Sequence, residues 1–202
     1  MPAAIEEAAR LAREIPGAVL LQQFRNPANP QAHYDTTARE IWEQLDGRVD
    51  GLVLGAGSGG TFTGVARFLR ERNPDVVCYV VEPPGSVFGG NPYEAPHRVE
   101  GIGNSFWPES LDRRLMDGVF TIPDAETFAM VDRLGRLGLL AASSSGANVA
   151  GAKRLARMLG EDKVVATVLP DSSQRYLKKY AYDGLMDGEP ISDAPPPPRS
   201  GP

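Results

Sequence analysis

The sequence predicts an α/β protein: an open, mostly parallel sheet with helices on both faces. Three observations carry this. From residue 50 onward, short apolar runs alternate with amphipathic helical stretches. The runs "GLVL" and "VVCYVV" are continuously apolar, and "VVATVL" is broken by one threonine only, as strands covered on both sides are. Glycine-, proline- or serine-rich turns punctuate each change of period.

The elements follow in order. Residues 1–14, "MPAAIEEAARLARE", carry an apolar stripe at Ile5, Ala8, Leu11 and Ala12, so a helix is expected, stopped by Pro16-Gly17. "AVLLQQF" (18–24) reads as a short strand, and "RNPANPQAHYD" (25–35) as a loop, because of its two Asn-Pro breaks. Asp35 or Thr36 is expected to cap a helix through "TAREIWEQL", with Glu40 as capping-box partner. "DGLVLG" (50–55) is a strand and "TGVARFLRERN" (63–73) a helix closed by Asn73-Pro74. "VVCYVVEP" (76–83) is a strand, followed by a long loop from Pro83 to about Ser110. "GVFTIP" (118–123) is a strand, and "DAETFAMVDRLGRLG" (124–138) a helix with Asp124 as cap and Glu126 in its first turn. "LLAASSSGANVAGAKRLARML" (139–159) passes from an apolar run into a helix, and "KVVATVLP" (163–170) is a strand. "DSSQRYLKKYAYDGL" (171–185) opens a last helix, and the tail with "APPPPRSGP" is expected to be disordered or extended.

The 202 residues suffice for one sizeable domain. The net charge is −5 and the arginines scatter over helical faces, which argues against a nucleic-acid partner. No apolar run approaches a membrane span, and the N-terminus has no signal-peptide core, so no membrane partner is expected. Cys78, the single cysteine, lies in a β-branched run and reads as a buried strand thiol; a reducing, cytoplasmic compartment fits. His33 and His97 lie in proline-broken loops without metal-ligand spacing, so neither a catalytic nor a metal role is expected.

Three strand-to-helix junctions carry the chemistry: "GAGSGGT" (55–61), "AASSSGA" (141–147) and "LPDSSQRY" (169–176). In an open parallel sheet, ligands bind at the carboxyl ends of strands, so the three loops suggest one composite site for a small anion. In the first loop Gly57, Gly59 and Gly60 permit close backbone approach, and Ser58 and Thr61 add hydroxyls. The helix that follows offers free N–H groups and a dipole worth about 0.3–1 kcal/mol to an anion. Gly55, Gly57 and Gly60 also satisfy the dinucleotide fingerprint G-x-G-x-x-G, with Glu82 placed as a ribose ligand. The loop alone therefore leaves two owners for the phosphate, or a tight turn without ligand. Ser143, Ser144 and Ser145 exceed what capping one helix needs, and Asp171 and Ser172 read equally well as a cap or as site residues. Glycines on both sides of Ile102 imply special backbone angles or a mobile loop.

With these residues in view, the chain resembles the pyridoxal-phosphate-dependent cysteine synthases and cystathionine β-synthases. The stretches that carry the resemblance are "QQFRNPANPQAHYDTTAREIWEQL", "GAGSGGT", "VEPPGS", "VEGIGNSFWPESLDRRLMD", "GLLAASSSGAN" and "VVATVLPDSSQRYL". They run in order from about Met1 to Leu185. The resemblance implies the large domain of the type II fold and pyridoxal 5'-phosphate as cofactor. It assigns Gly57, Ser58, Gly59, Gly60 and Thr61 to the cofactor phosphate and Ser144 to the pyridine nitrogen. It assigns Asp171 and Ser172 to a polar junction at the pyridine end, and Glu100, Gly101, Ile102 and Gly103 to a substrate loop. A serine at the pyridine nitrogen suits β-elimination from an activated serine, which needs less electron withdrawal than a long-lived carbanion.

The resemblance covers only the C-terminal part of such enzymes. Their upstream half carries the Schiff-base lysine and the loop that grips the substrate carboxylate. Lys153, Lys163, Lys178 and Lys179 do not fall at that lysine's position and are expected as solvated surface lysines. On this reading residues 1–34 are the remnant of a small mobile domain, 35–186 the cofactor-phosphate-binding domain, and 187–202 a disordered proline-rich tail. The function expected is the C-terminal portion of a β-replacement enzyme, inactive alone and with no catalytic residue of its own. It would make cysteine or cystathionine from an activated serine and a thiol or sulfide. A truncated or wrongly started product, half of a split enzyme, and a remnant all fit, and apolar faces should be left uncovered. The partners expected are an amino-acid substrate and either a separate N-terminal half or a second copy. Two alternatives stand beside it: a nicotinamide-dependent oxidoreductase using Gly55, Gly57, Gly60 and Glu82, and a non-catalytic complementing subunit.

Overall fold

The computed structural model describes residues 2–90, 97–176 and 179–180. Four strands form one parallel sheet in the order β3-β2-β1-β4: β1 (Gly51–Gly55), β2 (Val77–Glu82), β3 (Gly118–Thr121) and β4 (Val165–Ala166). Leu52 pairs in register with Cys78 on one side and with Ala166 on the other, and Val80 pairs with Val119. The chain steps from β1 to β2 to β3 in one direction, then returns to place β4 on the far side of β1. That reversal opens a crevice at the carboxyl ends of β1 and β4, where doubly wound sheets hold their ligands.

Side-chain alternation sorts the core into two layers. Leu52, Leu54, Cys78 and Val80 face α4 (Gly60–Arg72), which contributes Phe62, Val65 and Leu69, with α2 (Ala28–Asp35) and α3 (Thr37–Gln44) outside it. Val53 and Val81 face the opposite way, toward α5 (Asp124–Arg136) and α6 (Ser143–Leu159), where Met130, Ala147 and Leu155 complete the second layer. Cys78 is fully buried in β2, and burial pushes its thiol pKa up to about 11. Among the described residues no helix is long and apolar enough to cross a membrane.

The first helix, α1 (Pro2–Glu14), ends before Pro16 as its sequence requires. Five local expectations are corrected. "AVLLQQF" is not a strand: Gln22 takes φ +53°, Val19 is 82% exposed, and no described strand lies beside it to supply a ladder. "RNPANPQAHYD" is not a loop but contains α2. Pro27 occupies the N-cap and Pro30 the first turn, where a missing N–H leaves no helical bond unmade. Thr36 precedes α3, yet its hydroxyl donates back to the Ala32 carbonyl (2.8 Å) instead of capping, and no capping box forms. Asp124 is the first residue of α5, not its cap, and its carboxylate accepts the Arg98 amide N–H at 2.9 Å.

The fifth correction bears on the crevice. "KVVATVLP" pairs only over Val165–Ala166. Beyond it Thr167 turns its hydroxyl onto the Val53 carbonyl (2.6 Å), and the buried side chain of Asn148 fills the gap between the parting strands. Its Oδ1 accepts the Gly55 N–H (2.6 Å) and its Nδ2 donates to the Val168 carbonyl (2.8 Å). The last expected helix begins as a tight turn at Ser173–Arg175, with Lys179 and Tyr180 again helical. Its remainder and the tail at 187–202 lie outside the described residues.

Apolar surface does stay open. An apolar groove of about 720 Å³ runs between α1, through Ile5 and Ala8, and the segments containing Leu21, Phe24 and Trp107.

Candidate functional site

The crevice is a cleft of about 390 Å³. It collects Gly57, Ser58, Gly59 and Thr61 from the first loop, Glu100, Gly101 and Ile102 from the glycine-flanked strap, Ser144 from the serine run, and Asp171 from the last loop. Gly60, Gly103 and Ser172 do not line it. The Ser172 hydroxyl accepts the Gln174 N–H (3.3 Å), and its backbone bridges to Ala141. Gly55, named in the dinucleotide alternative, lines the cleft as well, and so do Gln23, Phe62, Asn148, Pro170 and Tyr176, which were not singled out from sequence.

The first loop turns tightly enough to aim the start of α4 at the cleft. Gly59 stands in the left-handed region at φ +85°, and a Cβ there would lie 2.5 Å from Leu111 Cβ and 2.9 Å from its Cα. A Cβ on Gly57 would collide with the Gly101 carbonyl oxygen. These close approaches set the N-terminus of α4 beside the cleft, and the first N–H groups of a helix suit an anion. No lysine or arginine lines the cleft among the described residues, so an anion there would be held by N–H and O–H dipoles.

Helix α2 braces this loop from behind. Asn29 Nδ2 donates to Ser58 Oγ (2.9 Å) and to the Gln23 carbonyl (2.8 Å). Ser58 Oγ also takes the Gly60 N–H at 3.4 Å, so its own proton remains to be donated outward. Thr61 Oγ1 meets His33 Nε2 at 3.0 Å, and His33 Nδ1 meets Thr37 Oγ1 at 3.0 Å. His33, which sequence gave no role, thus orients a loop hydroxyl. The signal that could have found it is its i, i+4 spacing to Thr37 once α2 is seen as a helix.

Burial pulls the His33 pKa below its ordinary 6.5. The unfolded chain therefore binds more protons as pH falls below that value, and stability is lost from about 6.5 downward, toward the lowered folded pKa. Urea midpoints measured from pH 7.5 to 5 should fall with pH, and His33→Gln should flatten that fall. An equal slope in the variant would remove His33 as the cause.

The three serines separate. Ser144 lines the cleft; the Ser143 hydroxyl bonds the Glu100 carboxylate; Ser145 Oγ is buried with no partner among the described residues. Asp171 accepts the Tyr176 hydroxyl at 2.8 Å, which raises the tyrosine's pKa. Glu82 is 2% exposed and off the cleft. Its carboxylate accepts the N–H groups of Phe88 (2.9 Å) and Gly89 (2.7 Å), and a carboxylate spent on its own loop is not presented to a ribose. Lys179 is not a freely solvated lysine but pairs with Glu100, and Lys163 pairs with Asp50 at 2.8 Å. Lys178 lies outside the described residues.

The residues present fit a single phosphate carried by an aromatic ring. A loop with three glycines and the hydroxyls of Ser58 and Thr61 sits at one end. Ser144, an uncharged hydroxyl able to donate or accept, lines the same cleft.

Comparisons with known proteins identify the family. A family model described as "Pyridoxal-phosphate dependent enzyme" matches residues 1–171. The O-acetylserine dependent cystathionine beta-synthase of Bacillus subtilis (strain 168) is 42% identical over 186 residues, covering 91% of this chain and 60% of that protein. A cysteine synthase of Helicobacter pylori (strain ATCC 700392 / 26695) is 44% identical over 181 residues, covering 89% and 58%. The crystal structure of an O-acetylserine dependent cystathionine beta-synthase from Helicobacter pylori superposes with a TM-score of 0.80 at 45% identity, covering 87% of this chain and 57% of that one. The chain spans a little over half the length of these relatives.

Proposed function

The chain belongs to the pyridoxal-phosphate dependent enzyme family, and on that premise we propose that its cleft grips the phosphate and pyridine ends of pyridoxal 5'-phosphate as the C-terminal portion of a β-replacement enzyme. The observation that carries this reading is the convergence of the Gly57–Thr61 loop and Ser144 on one cleft at the reversal of the sheet. In this reading residues 35–186 form the cofactor-phosphate-binding portion and residues 1–34 the end of a small domain. Helix α2, which packs on α4, lies across that boundary. The substrates are an activated serine and a thiol or sulfide, as the names of the relatives suggest.

Each residue's share follows from its chemistry. The N–H groups of residues 57–61 and the hydroxyls of Ser58 and Thr61 bind the phosphate, aided by the α4 dipole. Gly60 acts from behind this surface, holding the loop against Asn29. Ser144 holds a neutral hydrogen bond at the ring nitrogen. Asp171, tied to Tyr176, and Ser172, tied to the turn that follows, keep the pyridine end of the cleft in place. Glu100, Gly101, Ile102 and Gly103 form the strap that closes the wall toward the substrate side. When bound, the cofactor supplies the electron sink for breaking bonds at the substrate's α-carbon. Among the described residues no lysine lines the cleft, so this portion binds and orients rather than moves the α-proton.

Titration of the full chain with pyridoxal 5'-phosphate, pyridoxal and NADH, followed by fluorescence, tests this. Saturable binding of pyridoxal 5'-phosphate is expected, at least tenfold tighter than pyridoxal, which lacks the phosphate that the loop would hold. Tight NADH binding without pyridoxal 5'-phosphate binding would overturn the reading.

A further inference from the structure

We propose that Lys179 and Tyr180 are positioning residues that latch the strap of residues 97–104 onto the start of α6, and thereby set the wall of the cleft. The consequence for the cofactor rests on the function proposed above; the latch itself does not.

Glu100 sits at the centre of the strap, and both of its carboxylate oxygens are engaged. One oxygen takes the Lys179 ammonium and the other takes the Ser143 hydroxyl, with the Tyr180 hydroxyl at 3.5 Å. Lys179 also donates to the Arg98 carbonyl at 2.9 Å. The Glu100 N–H donates to Ser143 Oγ (3.0 Å), and the Ser143 N–H donates to the Tyr180 hydroxyl (2.8 Å). Strap, helix start and last helical turn are thus closed into one hydrogen-bonded ring. Tyr180 is 2% exposed and packs edge-on against Phe128 of α5 at 5.3 Å, so the anchor is rigid. The Lys179 side chain is 38% exposed, and water screens the charge attraction. Its contribution is the geometry of a bridge between Glu100 and the Arg98 carbonyl, more than the strength of one ion pair.

What the ring holds in place matters to the cleft. The residue after Glu100 presses its carbonyl against Gly57, and Ile102 Cγ2 lies 2.8 Å from where a Gly55 Cβ would stand. Both are walls of the phosphate end. On the other side, Ser143 immediately precedes Ser144, the candidate at the pyridine end. The latch meets the cleft at Glu100, and through it Lys179, Ser143 and Tyr180, which do not line the cleft, reach both of its ends. The strap's other ties, Arg98 N–H to Asp124 and the Asn104 amide to the Gly57 carbonyl, fix its ends and leave its centre to Glu100.

The test is amide hydrogen exchange on the ligand-free full chain, with Leu52–Leu54 in β1 as internal reference. In Lys179→Met the Glu100 amide should exchange about tenfold faster while β1 is unchanged, a local opening and not a loss of fold. Lys179→Arg should restore protection to within about twofold. Tyr180→Phe keeps the ring on Phe128 but removes the acceptor for the Ser143 N–H, so it should speed exchange at Ser143 even if Lys179→Met proves too unstable to study. Pyridoxal 5'-phosphate affinity, measured on the same proteins, should fall about three- to tenfold in Lys179→Met. Unchanged Glu100 exchange in Lys179→Met, or unchanged Ser143 exchange in Tyr180→Phe, overturns the latch. Faster exchange in these variants, together with a wild-type chain that never binds pyridoxal 5'-phosphate, upholds the latch and defeats the cofactor reading instead.

Discussion

Replacing Gly59 with alanine is expected to weaken pyridoxal 5'-phosphate binding at least tenfold and to destabilise the chain by about 2–4 kcal/mol. Two costs combine. At φ +85° an L-residue is strained by about 1–2 kcal/mol. The new methyl would also stand 2.5 Å from Leu111 Cβ and 2.9 Å from its Cα. A flexible side-chain tip could retreat from such a contact, but Leu111 is buried and part of this crowding is backbone, so the loop must move. The loop's N–H groups move with it, and a phosphate held by N–H dipoles, with no lysine or arginine among the described residues lining the cleft, would tolerate little misalignment. Gly135→Ala is the control: nothing lies within 4 Å of a Cβ there, and it sits inside α5, so it should stabilise by about 0.5–1 kcal/mol and leave affinity untouched. Urea denaturation and ligand titration measure both. Unaltered affinity in Gly59→Ala would mean that the loop does not hold the phosphate.

Asn148→Leu should cost about 2–5 kcal/mol, because it leaves two backbone groups unpaired at a buried place. The Gly55 N–H and the Val168 carbonyl have drawn apart where β4 stops pairing with β1, and the amide of Asn148 spans them at 2.6 and 2.8 Å. Leucine matches asparagine in bulk but offers neither donor nor acceptor. The thermal midpoint should drop by roughly 5–15 °C for a chain of this length. Asn148→Asp retains an acceptor for Gly55 and loses the donor to Val168, so it separates the two bonds. Since Gly55 and Asn148 both line the cleft, affinity for pyridoxal 5'-phosphate should fall along with stability. A thermal midpoint within a degree of wild type would show that the strands need no bridge.

Legibility followed the range of the interactions. The strands at 50–55 and 76–83 were readable because burial on both faces demands an unbroken apolar run, and the structure pairs them in parallel as expected. The glycine loop was readable as a turn because its backbone freedom is written in consecutive residues, and the structure places four of its five residues, with Ser144, on one cleft. The segment 18–24 was misread because β-propensity describes a surface that fits a neighbour, and no neighbour is present among the described residues. Residues 28–35 were misread because proline breaks a helix only where it removes a bond, and the first turn has none to remove. Gln23, Asn29 and His33 owe their places at the site to partners distant in sequence, Ser110, Ser58 and Thr61, while Tyr176 meets Asp171 only because the turn between them brings the two together.

The sequence by itself determined the parallel α/β architecture, the buried thiol and the glycine loop that opens α4. Those properties depend on hydrophobic periodicity and on backbone freedom, which are local. Only the tertiary structure decided that Glu82 is consumed by its own loop, that one serine of three lines the cleft, and that Lys179 closes on Glu100. A polar side chain has no fixed role until the fold brings it a donor or an acceptor, because what its burial costs or contributes depends on that partner.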